Sequence, residues 1–331
     1  MKRQHRPAAW LRDMRLRILA LAAALPVSAA DAQGAAITPV GDFHQHLFSP
    51  TAVAMLNQPR GIVATDLIAL LDSAGIQKAA LLSVAYMYGA PIRVVEDEYA
   101  KVRAENDWNA AEGAKYPTRL RAICSVNPLK AYALDEIARC ARTPGLNHGL
   151  KLHFGNSDVR TDSTRQLDLL KRVFKAANDA RMAIIVHMHA NINNHRPYGA
   201  EQGRTFLEQL LPQAPDVPVQ IAHLADAGGA NDIPADSALG VFADAIARDD
   251  PRMKHVWFDV AAVADVRLTP AQGERVAARI RQLGVSRVLY GSDAAATPAS
   301  APKNAWAMFR KVPLTEQEFR TIAANVPPYM R

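Results

Sequence analysis

The chain has 331 residues, 49% of them hydrophobic, two cysteines and a formal net charge of +7. That length supports one large core or two small ones. Residues 1–32 hold six Lys/Arg and two Asp/Glu, so the remainder carries only about +3 and offers no argument for a nucleic-acid surface. Two cysteines allow no zinc-type cysteine spacing.

Lys2, Arg3, Arg6, Arg12, Arg15 and Arg17 form a basic lead, residues 18–27 are apolar, and Ala30-x-Ala32 follows. This is the three-part order of a cleaved export signal. Ten apolar residues are too few to span a bilayer as a helix. No cysteine follows the apolar run and no Arg-Arg pair stands in the lead, so neither a lipid anchor nor the twin-arginine route is supported. The expectation is a signal peptide over 1–32 and a single domain over 33–331, periplasmic or secreted, with no stable membrane anchor.

From residue 37 onward, short apolar runs alternate with amphipathic stretches. The predicted strands are 37–43, 78–84, 120–125, 149–152, 183–187, 219–222, 255–260 and 287–290. They are apolar at nearly every position, as strands buried on both faces are. The predicted helices are 66–74, 98–115, 133–142, 163–180, 202–211, 236–248, 270–283, 305–309 and 316–325, the first with Thr65 as N-cap and Gly75 as its stop. Strand–helix alternation repeated about eight times in ~300 residues is the rhythm of an α/β protein with a (β/α)8 TIM barrel. An open doubly wound sheet competes, but no glycine-rich phosphate turn follows the first strand. Cys124 falls in a strand and Cys140 on the next helix. Buried free thiols are the expected state, and pairing is the alternative if strand and helix bring them into range.

Barrel chemistry sits at the carboxyl ends of the strands. The first strand ends in Asp42-Phe43-His44-Gln45-His46. Strand alternation puts His44, His46 and Asp42 on one face and Gln45 on the other, with the imidazoles about 7 Å apart, close enough to converge on one metal ion. Lys151 and His153 end the fourth strand, His187 and His189 the fifth, and His223 the sixth. Gly291-Ser292-Asp293 follows the eighth. Each histidine alone reads as an ordinary core or rim residue, but a barrel gathers all these ends into one ring.

In order, Asp42-x-His44-x-His46, His187, His223 and Gly291-Ser292-Asp293 resemble the metal-dependent amidohydrolase superfamily. The closer likeness is to its amidohydrolase-related branch, which includes aminocarboxymuconate-semialdehyde decarboxylase and several lactone and amide hydrolases. The resemblance spans residues 38–325 and implies a barrel of the metallo-dependent hydrolase type. It implies that His44, His46, His187 and Asp293 bind one divalent ion, with Zn2+ the first choice for such donors. Asp293 would serve as general base, and His223 would orient water or polarise a carbonyl. Lys151 bridges two metals in binuclear relatives and is structural or touches substrate in mononuclear ones; one metal is the expectation. His153, His189, Arg60 and Arg196 are candidate substrate contacts, the arginines as clamps for a carboxylate. Tyr86, Tyr88 and Asn127 are candidate pocket walls. The expected function is hydrolysis of an amide- or lactone-type C–N or C–O bond in a small molecule. The rivals are a metal-dependent decarboxylase of the same branch and a non-catalytic periplasmic binding protein. The oligomeric state is open, a homodimer among the options.

Overall fold

Eight strands form: β1 Gly41–Gln45, β2 Lys78–Leu82, β3 Leu120–Ser125, β4 Gly149–His153, β5 Ala183–His187, β6 Val219–Ile221, β7 Val256–Asp259 and β8 Val288–Leu289. Neighbours in sequence pair in parallel from β1 to β8. The seam between β8 and β1 is joined by Phe43 N–H to the Tyr290 carbonyl and Asp293 N–H to the His44 carbonyl, both at 2.9 Å, and by a parallel bridge of Gln45 with Ala294. The result is a (β/α)8 barrel. This computed structural model describes residues 36–58, 60–190, 197–227, 233–294 and 301–331; the expected signal peptide and Arg196 lie outside the described residues.

The continuous apolar runs follow from two apolar surfaces. Ala79, Leu81, Ile184 and Val186 pack outward under the helices. Their sequence neighbours Ala80, Leu82, Ala183 and Ile185 fill the barrel interior with Phe43, Ile123 and Leu289. Tyr329 and Met330 of the C-terminal segment complete that inner cluster. A strand covered on both sides has no polar face to expose, which is why alternation is missing.

The helices are α1 Pro50–Met55, α2 Ala64–Ala74, α3 Glu98–Ala114, α4 Ala133–Arg142, α5 Phe154–Ser157, α6 Thr164–Asp179, α7 Ala200–Thr205, α8 Ile233–Ala247, α9 Pro270–Leu283, α10 Pro302–Phe309 and α11 Glu316–Ala324. Thr65 is not an N-cap. It lies inside α2, and the Asp66 carboxylate accepts the Val63 N–H at 3.3 Å. Gly75 does end that helix, at φ 70°. α7 passes into a wider π-type turn over Phe206–Leu210, which interrupts the single helix expected there. Among the described residues no helix is long and apolar enough to cross a membrane.

Cys124 and Cys140 form a disulfide with a Cα–Cα separation of 6.2 Å, which corrects the expectation of free thiols. Cys124 points from β3 toward the helix layer. Cys140 lies on the buried stripe of α4 with Ala133, Glu136 and Ile137. The α4 helix packs its cysteine directly over the strand, a proximity that sequence separation does not reveal. The bridge closes a segment of 16 residues. A loop of that size is worth about 3 kcal/mol through the unfolded chain. The Cys124→Ala/Cys140→Ala variant is therefore expected to keep its fold and lose roughly 2–4 kcal/mol in a urea titration.

Candidate metal centre

The end of β1 departs from simple strand alternation. Its pairing with β2 shifts register between Asp42 and Gln45. Gln45, expected to face away from Asp42, instead donates its Nε2 to Asp42 Oδ2 and to Ser292 Oγ, each at 2.5 Å. Asp42 also accepts the backbone N–H of Ser292 at 3.0 Å and of His44 at 3.3 Å. Burial pushes its carboxyl up to about 7 against these hydrogen bonds. Asp42 thus ties the first strand to the loop after the eighth.

Three histidines share one orientation. His44 Nδ1 meets Asp259 Oδ2 at 3.0 Å, His46 Nδ1 meets the Leu82 carbonyl at 2.7 Å, and His223 Nδ1 meets the Ala261 carbonyl at 2.7 Å. Carboxylate and carbonyl oxygens only accept, so each Nδ1 carries the hydrogen and each Nε2 keeps a bare lone pair. The Nε2 atoms of His44 and His46 stand 3.7 and 3.5 Å from Asp293 Oδ1. Donor atoms of His44, His46 and Asp293 all lie within 4.8 Å of one another. Burial, then the charge of Lys151, pushes both imidazoles down to about 3. They are neutral at ordinary pH, as ligands must be. Two bare imidazole nitrogens and a partly exposed carboxylate fit a divalent ion such as Zn2+ or Mn2+.

Lys151 is buried with its Nζ 3.2 Å from His44 Nε2. Burial pushes its amine down to about 8, opposed by the charges of Asp293 and Asp259. A second group, His44, His223 and Asp259, is also compact. Both Asp259 oxygens are already occupied: Oδ1 accepts the N–H groups of His223 and Ala261 at 2.9 and 3.1 Å, and Oδ2 faces His44 and Gln220 at 3.0 and 2.7 Å. That group is a hydrogen-bonded support rather than a ligand set. Burial alone would raise the Asp259 carboxyl, but His44 and the His223 amide hold it below the usual carboxylate range.

Backbone conformation positions these groups. His223, Leu224 and Ala225 all adopt positive φ, at 55°, 50° and 62°, and Asp293 does so at 55°. Such values are uncommon away from glycine and collect at functional sites.

His187 stands one ring further out, not in the compact group. Its ring centroid lies 5.0 Å from that of His223 and 4.0 Å from that of His153, to which it is stacked at 11°. Its buried Nδ1 has no hydrogen-bond partner among the described residues. His153 Nδ1 accepts the Asn156 N–H at 3.1 Å. Tyr86, buried, continues this row with its ring 4.9 Å from His153. Tyr86, named above as a candidate wall residue, thus lies in a row of rings with His153 and His187, in which only the two histidines are stacked. His189 packs on Tyr198 at 4.0 Å. Tyr88 OH donates to Glu105 Oε2 at 3.2 Å, and Asn127 Nδ2 donates to the Gly89 carbonyl at 2.7 Å. Arg60 is exposed and paired with Asp66 at 2.6 Å. Sequence reasoning missed Asp259. Its signal was a carboxylate closing the apolar run Val256-Trp257-Phe258.

A family profile described as amidohydrolase matches residues 42–325. The chain belongs to the amidohydrolase family. None of the curated proteins matches it. Solved structures that it resembles include a 2,6-dihydroxybenzoate decarboxylase complexed with 2,6-dihydroxybenzoate (14% identity, TM-score 0.61, 87% of this chain and 97% of that one). A second is the 5-carboxyvanillate decarboxylase of Novosphingobium aromaticivorans with bound manganese and 3-methoxy-4-hydroxy-5-nitrobenzoic acid (16%, 0.56, 87% and 95%). A third is a probable 2-pyrone-4,6-dicarboxylic acid hydrolase of Acinetobacter baumannii with citric acid bound (16%, 0.53, 86% and 96%). At these identities the likeness is one of fold.

The buried histidines make a pH prediction for the metal-stripped protein. His44 and His46 take up protons near pH 3 when folded and near 6.5 when unfolded. The unfolded chain binds more protons between those values, so stability falls as pH drops through the window. Asp42 acts with the opposite sign between 3.8 and about 7. Glu105, whose carboxyl burial also raises, makes two such groups, against four histidines, since His153 and His187 are likewise pushed well down by burial. Melting of chelator-treated protein is expected to shift to lower temperature from pH 6.5 to 4. A flat profile would contradict neutral, buried imidazoles.

Proposed function

We propose that the chain is a metal-dependent enzyme acting on a small carboxylate-bearing molecule, and that its reaction is decarboxylation. The observation that carries the metal-dependent part is the donor set: two imidazoles with Nε2 bare beside the Asp293 carboxylate. His44, His46 and Asp293 would hold the ion, with His187 the candidate to join them. A bound divalent cation supplies a Lewis acid and lowers the pKa of water.

The chain's own residues suggest the substrate class. The row of rings formed by Tyr86 and the stacked pair His153 and His187 suits a planar, conjugated acid. The Lys151 ammonium, buried beside His44, favours an anion there. Dihydroxybenzoate, the ligand of one structural relative, has that shape and charge. In decarboxylation the C–C bond to the carboxylate breaks, its electron pair stays on the carbon, and carbon dioxide leaves. A water molecule would supply the proton for that carbon, relayed by the Asp293 carboxylate, and the hydroxide left behind would take up the carbon dioxide as bicarbonate. His223, with Nε2 bare and its ring 4.6 Å from His44, is placed to orient the substrate or a water.

A second reading is hydrolysis of an amide- or lactone-type bond. It is favoured by the partial exposure of Asp293, 31% on its side chain, which lets the carboxylate take a proton from water. The probable dicarboxylic acid hydrolase shares this fold. We also propose export, with a mature start near Gln33; the Cys124–Cys140 disulfide supports it, because such bonds persist in oxidising compartments.

Incubation of metal-loaded enzyme with a panel of aromatic and unsaturated carboxylates, in deuterium oxide and in 18O-water, separates the readings. Decarboxylation places deuterium on carbon and no 18O in the organic product. Hydrolysis places 18O in a new carboxylate. A purified protein that holds no metal and forms neither product would point to a binding protein. Once a substrate is found, His223→Asn should keep most of its metal and lose on the order of 10²–10³ in kcat. His44→Ala should lose metal itself, and Asp293→Asn should lose both metal and turnover.

A further inference from the structure

We infer that Asp259 is the positioning residue that fixes His44 as a metal-facing ligand, at the head of a hydrogen-bonded column rising from the C-terminal segment through the barrel. This rests on the metal-dependent reading above.

Asp259 ends β7 with no exposed surface. A carboxylate cannot donate, so the 3.0 Å contact with His44 requires the hydrogen on Nδ1 and leaves Nε2 bare. Lys151 Nζ, which can only donate while charged, faces that same Nε2 at 3.2 Å and agrees with this tautomer. His46 and His223 are oriented by the carbonyls of Leu82 and Ala261. Of the three, only His44 depends on a side chain. The other Asp259 oxygen holds the N–H groups of His223 and Ala261, so one carboxylate also pins the turn that carries His223.

The column continues below. Gln220 donates its Nε2 to Asp259 Oδ2 at 2.7 Å and to the Phe43 carbonyl at 3.2 Å. Gln220 Oε1 accepts the Tyr329 hydroxyl at 2.5 Å. Arg121 in turn donates to the carbonyls of Tyr329 and Arg331 at 2.7 and 3.2 Å. Gln220 and Tyr329 are buried. The amide of Gln220 is therefore oriented at one end by the tyrosine and aims its N–H at the carboxylate from the other. With one lone pair of Oδ2 taken by Gln220, the remaining one is directed at His44.

The test uses Asp259→Asn in the otherwise intact chain. With its oxygen kept on the two backbone N–H groups, the amide turns an NH2 toward both His44 and Gln220; Gln220 must then offer its oxygen, with the Tyr329 hydroxyl turning to accept, and the imidazole must move its hydrogen to Nε2. In 15N-histidine NMR of the metal-stripped protein, His44 is expected as the Nδ1–H tautomer in the parent and the Nε2–H tautomer in the variant. Zn2+ affinity, measured by competition with a chromophoric chelator, should fall about 10–100-fold. Tyr329→Phe, which cuts the column at its foot, should give a smaller loss with the tautomer retained. An Asp259→Asn protein with parental tautomer and parental affinity overturns the assignment, as does a parent in the Nε2–H form. Unchanged affinity in Tyr329→Phe overturns the column. A parent that binds neither Zn2+ nor Mn2+ but shows the expected tautomers overturns the metal-dependent reading and leaves the positioning role supported.

Discussion

Closure of the barrel between β8 and β1 is the constraint on which the site depends. The Asp293 N–H bonds the His44 carbonyl at 2.9 Å, so two residues that offer donors to the centre are joined through their own backbones. Assembly of the donor set and closure of the sheet are one event. The joined residues are far apart in sequence, and such pairings form late because loop entropy must be overcome before they contribute. Opening of the seam, even locally, would dismantle the centre. Asp42 reinforces the same seam through the Ser292 N–H and the Gln45 amide.

Two buried carboxylates that both contact His44, one at its backbone and one at its ring, are driven in opposite directions. Asp42 is pushed up by burial, with only uncharged donors around it. Asp259 meets the same burial, but an imidazole and converging N–H groups outweigh it. Residue type is identical and surroundings decide the charge. The neutral imidazoles of His44 and His46 follow from that same dry interior, with Lys151 adding to the effect. Sealing the barrel from below with Tyr329 and Met330 helps to keep the interior dry.

Much of this was legible in the chain itself. The limits of β3, β5, α4 and α9 match expectation: the two strands are short, nearly continuous apolar runs, and the two helices carry a helical apolar period. The short helices α1 and α5 were not visible, since four to six residues hold too little periodicity. The positions of His44, His46 and Asp293 were legible from strand ends. Gln45 was not, because a register shift reverses the side on which a residue falls. The Cys124–Cys140 bond and the Asp259–His44 contact link elements whose distance only packing determines. The reaction was least legible, since decarboxylation and hydrolysis can use the same donors and differ in the molecule admitted.

The turn after β6 carries three successive non-glycine residues at positive φ. Each such residue costs of order 1–3 kcal/mol, and the set persists because Asp259 and the Ala261 carbonyl hold His223 from both sides. Residue 225 is the cheapest place to release that strain, because a glycine there removes only a methyl group. Selection for heat resistance alone would be drawn to this turn, since relief of left-handed backbone is an easy route to a more stable protein. The same change would free the backbone that aims His223. Under the role proposed for His223, stability gained at residue 225 would come at the expense of activity, and a screen that scores only one of them would damage the other.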